Sequence, residues 1–307
     1  MTSARTPLPT DIVALVSFDG RVYPNEAKPL ERLGVAERTH PLEEAIEQWF
    51  SFATGKQTWV SVRGATIRGL ISARPRAKRT TWEVEVLIDA SDDEATALSL
   101  FARMTEGVKK QKAERVFLRL EEESSMIDAS RRAGFFQYST ETLYRRDAAD
   151  WRPAGEPPRL RPRAKGDAFH VYQLHTRTAP ANVRAIESPT FRDWQAVAEK
   201  WGGRCQEFVE ETEGVVAGWV RIYPGTVGRI YAISATDDYE TLLSAGLEVL
   251  QDRDVFCLVP DHQVALGSAL TNARFEVVER YACMANRLTR AVEELAPEHS
   301  GEAIPVS

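Results

Sequence analysis

Ile88-Asp89-Ala90-Ser91-Asp92-Asp93 recurs later in the chain as Ile233-Ser234-Ala235-Thr236-Asp237-Asp238. Each stretch follows a strand-like run and precedes a segment with helical spacing. The apolar positions are Leu98, Phe101, Ala102 and Val108 in the first copy, and Leu242, Leu243, Gly246 and Leu250 in the second. Next come Val116-Phe117-Leu118 and Val255-Phe256-Cys257-Leu258, short apolar runs with the composition of buried strands. A second helix then ends at Ala133-Gly134-Phe135 or at Ala273-Arg274-Phe275. One order of elements met twice predicts a duplicated folding unit.

Upstream the correspondence continues. Pro41 opens a predicted helix with apolar residues at Leu42, Ala45, Ile46, Trp49 and Phe50. Pro189, behind a candidate N-cap at Ser188, opens another with Phe191, Trp194, Val197 and Trp201. Proline suits a first helical turn, where its missing N–H has no partner to lose. Three strand candidates follow each helix: Trp59–Arg63, Thr66–Ser72 and Trp82–Ile88, then Gln206–Glu211, Val215–Tyr223 and Gly228–Ile233. In the third of these, alternation puts Trp82, Val84, Val86 and Ile88 on one face and Glu83 and Glu85 on the other. Residues 151–163, rich in proline and arginine, read as a semi-rigid linker. The expected division is a first domain over 1–150, a linker over 151–165, a second domain over 166–291 and a flexible tail over 292–307.

Composition bounds what such a unit can be. The 307 residues are 43% hydrophobic and 27% charged, the profile of a globular protein large enough for two cores. A net charge of −6 argues against a dedicated nucleic-acid binder, which carries a basic face. No run approaches the ~20 apolar residues that span a bilayer, so no membrane association is expected. The N-terminus lacks the apolar stretch of a secretory signal, and Cys205, Cys257 and Cys283 form no CxxC. Together these predict reduced thiols and a cytoplasmic location. The five histidines show no metal-ligand spacing, and no nucleophile elbow, P-loop or dinucleotide fingerprint occurs.

The duplicated order is helix, antiparallel strands, a strand running into a helix, a buried strand, a helix ending in Gly-Phe and a final strand at Gln137–Arg145. It resembles the GNAT (GCN5-related N-acetyltransferase) family over about residues 40–146 and 168–290. The resemblance implies an α+β fold of two tandem GNAT-like domains, each a mixed, mostly antiparallel sheet flanked by helices. It implies acetyl-CoA as co-substrate and a small-molecule or peptide amine as acceptor, with the two copies packed as a pseudo-dimer. In that family the pantetheine arm lies between two parting strands and the pyrophosphate sits at the next helix N-terminus, where orphan N–H groups and the helix dipole attract an anion. By position the coenzyme contacts are Leu87, Ile88, Ala90, Asp93, Glu94 and Ala95 in the first copy, and Ile233 and Ala235 in the second.

The sequence departs from the family in those loops. Neither has the glycines or the arginine of the family pattern, and Ser91-x-x-Glu94 is a capping box that consumes the donors a pyrophosphate needs. Thr236, or Asp237 with Glu240, is expected to cap the second helix in the same way. Asp92 and Asp93 would each repel a diphosphate by about 1–3 kcal/mol at about 5 Å. The family's frequent acidic tyrosine falls at Ser130 in the first copy and Leu270 in the second. Serine donates a hydrogen bond but is a poor acid. For a strand-borne general base the candidates are Glu83, at the better-matching position, and Glu85; a solvated strand face is the competing reading. The equivalent second-copy strand has no carboxylate, and Tyr231 stands there as a packing residue or polar anchor. Two functions follow. One is acetyl transfer to an amine in the first copy, with Glu83 as base, Glu85 and Ser130 beside it, and the second copy as scaffold. The other is a non-catalytic binding or assembly module that keeps the fold.

Overall fold

The computed structural model describes residues 3–8, 23–34, 55–63, 66–90, 93–150, 160–199, 201 and 203–288. The helix expected after Pro41, the residues Ser91 and Asp92, most of the linker and the tail lie outside the described residues.

The first half runs β1 (Ser3–Arg5), β2 (Gln57–Arg63), β3 (Thr66–Pro75), β4 (Thr81–Asp89), α1 (Glu94–Lys110), β5 (Arg115–Glu121), α2 (Met126–Arg132) and β6 (Phe136–Arg146). The second runs β7 (Arg161–Pro162), α3 (Ala168–Thr178), α4 (Ala181–Glu187), α5 (Phe191–Val197), β8 (Gln206–Thr212), β9 (Val215–Pro224), β10 (Gly228–Ser234), α6 (Glu240–Val249), β11 (Val255–Pro260), α7 (Val264–Asn272) and β12 (Glu276–Arg287). The predicted strands stand within one to three residues of their expected ends.

All twelve strands join one sheet in the order β1-β2-β3-β4-β5-β12-β6-β11-β10-β9-β8-β7. The order reads the same from both ends once each strand is matched to its repeat. Its centre is an exchange. β12, from the second half, pairs with β5 of the first (Met284 opposite Leu118), and β6, from the first half, pairs with β11 of the second (Leu143 opposite Leu258). β6 and β12 then pair with each other. Among the described strand pairs only β4·β5 and β10·β11 are parallel.

The helices α1 and α2, with α6 and α7, cover one face. Under α1 and α2 lie Trp59, Trp82, Phe101, Leu118 and Phe135; under α6 and α7 lie Ile230, Leu242, Cys257, Leu270 and Phe275. The repeated Gly-Phe and Arg-Phe endings have one physical cause. Gly134 (φ 90°) and Arg274 (φ 65°) each take the left-handed conformation just past a helix. The next N–H then reaches back, Phe135 to Ser130 O at 3.0 Å and Phe275 to Leu270 O at 2.9 Å. That closes a Schellman turn and drops each phenylalanine, 3% exposed, into its core.

Two local expectations are corrected. β4 does not alternate throughout: the register slips between Ser72 and Ala73 opposite it, and the bulge turns Leu87 toward α1 with Trp82 and Val84 while Val86 and Ile88 face the other way. Helix α5 is capped by Thr190, whose Oγ1 accepts from Asp193 N at 3.2 Å, because Thr190 is the residue that stays extended; Ser188 instead meets His175.

Candidate functional site

β4 and β5 pair only where Thr81–Glu83 lie beside Arg115–Phe117, and β10 and β11 only where Gly228–Ile230 lie beside Val255–Cys257. Beyond those triplets each parallel pair parts, which leaves strand backbone without a sheet partner on the inner side of the gap. The two gaps differ in what they hold.

In the first gap lies a strap of the chain itself, residues 25–28. Glu26 N donates to Leu87 O at 2.9 Å on one side, and Lys28 N donates to Arg119 O at 2.9 Å on the other. Asn25 completes the bridge: its Nδ2 donates to Glu85 O at 2.9 Å, and its Oδ1 accepts from Leu87 N at 2.8 Å and from Ala27 N at 3.1 Å. Asn25 and Ala27 have no exposed surface. The strap then makes a 3₁₀ turn at Leu30–Arg32 and crosses to the second half, where Arg229 donates to the carbonyls of Glu31 (2.7 Å) and Leu33 (2.9 Å).

The expected site residues of the first half are dispersed around this strap. Glu83 and Glu85 are 3% and 6% exposed, so neither lies on a solvated face. Arg74 Nε donates to Glu83 at 2.7 Å and its Nη1 to Glu85 at 3.1 Å; Arg76 adds 3.0 Å to Glu83, and Lys56 stands 3.5 Å from Glu85. Arginines from the end of β3 thus neutralise both carboxylates under the strap, where Glu31 also meets Arg74. Both backbone groups of Leu87 are taken by the strap, and Ile88 pairs with Leu70 of β3. Ser130 lies in the core beneath α2, where its Oγ donates to Ile127 O at 2.7 Å and lies 3.1 Å from Met284 Sδ. Ala90 N is bonded to Arg68 O at 2.8 Å.

At the start of α1 the N-cap is Asp93, accepting from Ala95 N at 3.1 Å, and Glu94 pairs with Arg132 at 2.7 Å. In the second half Ala235 N donates to Ala217 O, and Asp238 Oδ1 takes Glu240 N at 3.0 Å. The N-cap position of α6 is Tyr239, which makes no capping bond, rather than Thr236 or Asp237. Tyr239 is pulled in by burial, 3% exposed, and its hydroxyl reaches the backbone of Ser234.

The second gap holds no described segment. Tyr231, Ala232 and Ile233 are bonded to β9 only, and the gap opens into a cavity of about 430 Å³. The cavity floor is the sheet face opposite α6 and α7. One row crosses it: Glu207 of β8 beside Arg221 of β9, Arg221 beside Tyr231 of β10, then Leu258 of β11 beside Leu143 of β6. Helices α3, α4 and α5 supply the walls through His175, Glu187, Trp194 and Val197, and the strap supplies Leu30 and Leu33.

The charges around the cavity are unevenly satisfied. At its β5–β6 side every nitrogen of Arg119 is bonded: Nε donates to Glu141 at 2.7 Å, Nη2 to Glu199 at 2.7 Å, and Nη1 to Lys28 O at 3.0 Å and to Glu199 at 3.2 Å. Burial alone would raise the Glu199 carboxyl, but Arg119 and Arg76 outweigh it and hold it well below the ordinary range. Glu187 forms no ion pair among the described residues, and Arg76 acts on it only from farther off and more weakly than burial. Burial raises its pKa to about 7, and its hydrogen-bond partner is the Tyr138 hydroxyl at 2.7 Å. It keeps some exposed surface because it faces the cavity. His175 is pushed the other way, to about 4 by burial, and is a neutral imidazole bonded to Ser188 Oγ at 3.1 Å. Burial lifts Tyr231 well above an ordinary phenol.

Glu141, Glu187 and Tyr138 were not among the expected residues. Glu141 belongs to the first half by sequence and reaches the second half's cavity only through the strand exchange. Burial raises the Cys257 thiol to about 12 and also pushes the buried Cys283 thiol well up, which disfavours the thiolate at both. Among the described residues no group of three or more metal-ligating side chains occurs, and no helix is long and apolar enough to cross a membrane.

No protein-family model matches the sequence, and no curated protein matches it. Solved structures do. A GCN5-related N-acetyltransferase from Sphaerobacter thermophilus superposes with a TM-score of 0.55 at 16% identity, over 95% of this chain and 97% of that one. The fold is that of the GCN5-related N-acetyltransferases. A candidate acetyltransferase from Pyrococcus horikoshii gives a TM-score of 0.51 at 14% identity, over 94% of this chain and 90% of that one. Both superpositions run through the two halves, so the GNAT likeness belongs to the whole exchanged sheet. At these identities it is a likeness of fold.

Proposed function

We propose that the chain is an N-acyltransferase with one acyl-thioester site, between β10 and β11, and that its first half is a scaffold. The observation that carries this is the contrast between the gaps: the first is filled by Asn25–Lys28, while the second opens into a cavity lined with ionisable groups. The sequence pointed to the first half and Glu83; the strap and the arginines on Glu83 favour the second. Residues 1–150 and 166–291 then act as one pseudo-dimeric unit, each completing the other's sheet, with acetyl-CoA and an amine as reactants.

The parted strands suit a pantetheine arm, whose amides would bond to strand backbone as the strap does in the first gap. In the reaction the neutral amine attacks the thioester carbonyl, N–C forms, the carbonyl oxygen gains charge and C–S breaks to leave a thiolate. Unpaired N–H groups of β10 face that oxygen. Glu187 takes the ammonium proton: a carboxylate with a pKa of about 7 accepts it near neutral pH. Tyr138 holds the carboxylate in place.

A second reading has its own support. Asp237 and Asp238 precede α6, and Asp238 occupies the first helical N–H, so the coenzyme's pyrophosphate meets carboxylates where the fold elsewhere offers donors. This favours a module that keeps the cavity without the coenzyme. Calorimetric titration of acetyl-CoA separates the two. The acyltransferase reading expects one equivalent per chain with a Kd tighter than about 100 μM, and acetyl-pantetheine binding nearly as well. Silence up to about 1 mM of both thioesters leaves the binding module.

A further inference from the structure

We infer that the cavity receives a zwitterion, a molecule of amino-acid or dipeptide size whose carboxylate sits between Arg163 and Arg221 and whose amine points toward Glu187. The inference rests on the acyl-transfer reading of the same cavity and adds the class of acceptor.

The two ends of the cavity carry opposite unmet charge. At the β8–β9 end Arg163 and Arg221 both lean on Glu207; Asp167, which also acts on Arg163, is already paired with Arg161. Arg163 Nη1 lies 3.4 Å from one Glu207 oxygen and Arg221 Nε 3.8 Å from the other. Charge-assisted bonds are ordinarily about 2.7–2.9 Å, so both contacts are loose. Glu207 is further engaged by Trp219 Nε1 at 3.1 Å. The Nε atoms of Arg163 and of Arg221 are both buried without a hydrogen-bond partner. Both guanidiniums are therefore incompletely met, and a guest carboxylate in the cavity supplies the second anion that Glu207 alone does not. Arg221 is held in place by the Trp201 ring, 5.1 Å from its guanidinium carbon, with the Cys205 thiol as its other neighbour. Arg119, in the same cavity, has every nitrogen bonded, so the deficit is local to this end.

At the opposite end stands Glu187, bonded to a neutral tyrosine rather than to a cation. Tyr138 lies on β6 and Arg221 on β9, three strand steps apart across the sheet, and Tyr138 is also five residues along β6 from Leu143, which stands in Arg221's row. Both ends line one cavity of about 430 Å³, which has room for a guest of amino-acid or dipeptide size. Tyr231 lies between the ends, on the strand that borders the open gap, so a guest tied at both ends presents its amine beside the thioester.

The test is binding to the full chain without acetyl-CoA, by thermal shift and calorimetry. The probes are the common amino acids and glycylglycine, each with its carboxamide and its N-acetyl derivative. At least one free zwitterion should bind at concentrations up to about 10 mM, with its carboxamide weaker by about tenfold or more. Arg221→Gln or Arg163→Gln should bring acid and carboxamide to equal affinity, while Arg221→Lys keeps the preference for the acid. Carboxamides that bind wild type as well as the acids overturn the inference, whether or not the variants fold. So does a panel in which nothing binds. If that occurs while acetyl-CoA binds, acyl transfer survives with a different acceptor. Zwitterion binding with silence to acetyl-CoA leaves the cavity's ligand class and sinks the transferase.

Discussion

The two gaps of this sheet come from one duplicated plan and have opposite fates. In the first, the strap supplies the Asn25 side-chain amide and the N–H groups of Glu26 and Lys28 to strands that have lost each other. In the second, strand backbone of the same kind is left for something else to satisfy. Unpaired strand backbone inside a protein is costly, so every such gap needs an occupant. A gap with a covalently attached occupant is structure, and the gap that holds no described segment is where the proposed ligand would lie.

Emptying the filled gap is the most forceful way to break this contrast. Asn25→Ala removes three buried hydrogen bonds and leaves Leu87 N and Glu85 O unpaired. The expected loss is about 3 kcal/mol of stability by chemical denaturation. In calorimetry the variant should gain no second equivalent of acetyl-CoA, because Arg74 and the buried carboxylates still close that side; a second equivalent would make the gaps interchangeable after all.

The next test sharpens the assignment of the open gap. Glu187→Gln should lower kcat/KM by about 100-fold. Wild-type activity should climb with pH through about 7 as the carboxyl ionises, and the variant should lose that limb. Stability runs the opposite way. A carboxyl raised from its ordinary 4.5 to about 7 keeps its proton longer in the folded chain, so the native state loses stability as pH rises across that window. Urea midpoints measured from pH 5 to 8 should fall for wild type and flatten for Glu187→Gln. A parallel decline in both would acquit Glu187 of the shift.

The smallest effect compares the two Schellman turns. Arg274→Gly relieves a left-handed non-glycine residue and should stabilise by about 1 kcal/mol, while Gly134→Ala should cost about as much. Equal melting shifts of the same sign would show that the turns are not equivalent.

Much of the fold is written locally and is legible for that reason. The repeated Gly-Phe and Arg-Phe endings encode a turn whose bonds span six residues, and the strands announce themselves by composition. The exchange of β6 and β12 leaves no such trace, because side-chain alternation is the same whichever neighbour a strand takes. Glu83 and Glu85 looked solvated because alternation assigns faces but says nothing of a bulge, or of Arg74 and Arg76 arriving from the next strand. The strap was silent for a related reason: its work is done by backbone groups, which every residue has. Glu141 and Glu187 reach one cavity from different halves, and no spacing in the sequence records that meeting.

The exchanged strands also set a timetable for synthesis. Leu118 waits for Met284, which the ribosome adds roughly 10–30 s later at ordinary elongation rates. During that interval β5 is a bare edge, open to a provisional partner within its own half or to a second nascent chain. A split between the halves would make each exchanged strand pairing an encounter between two chains, dependent on their concentration.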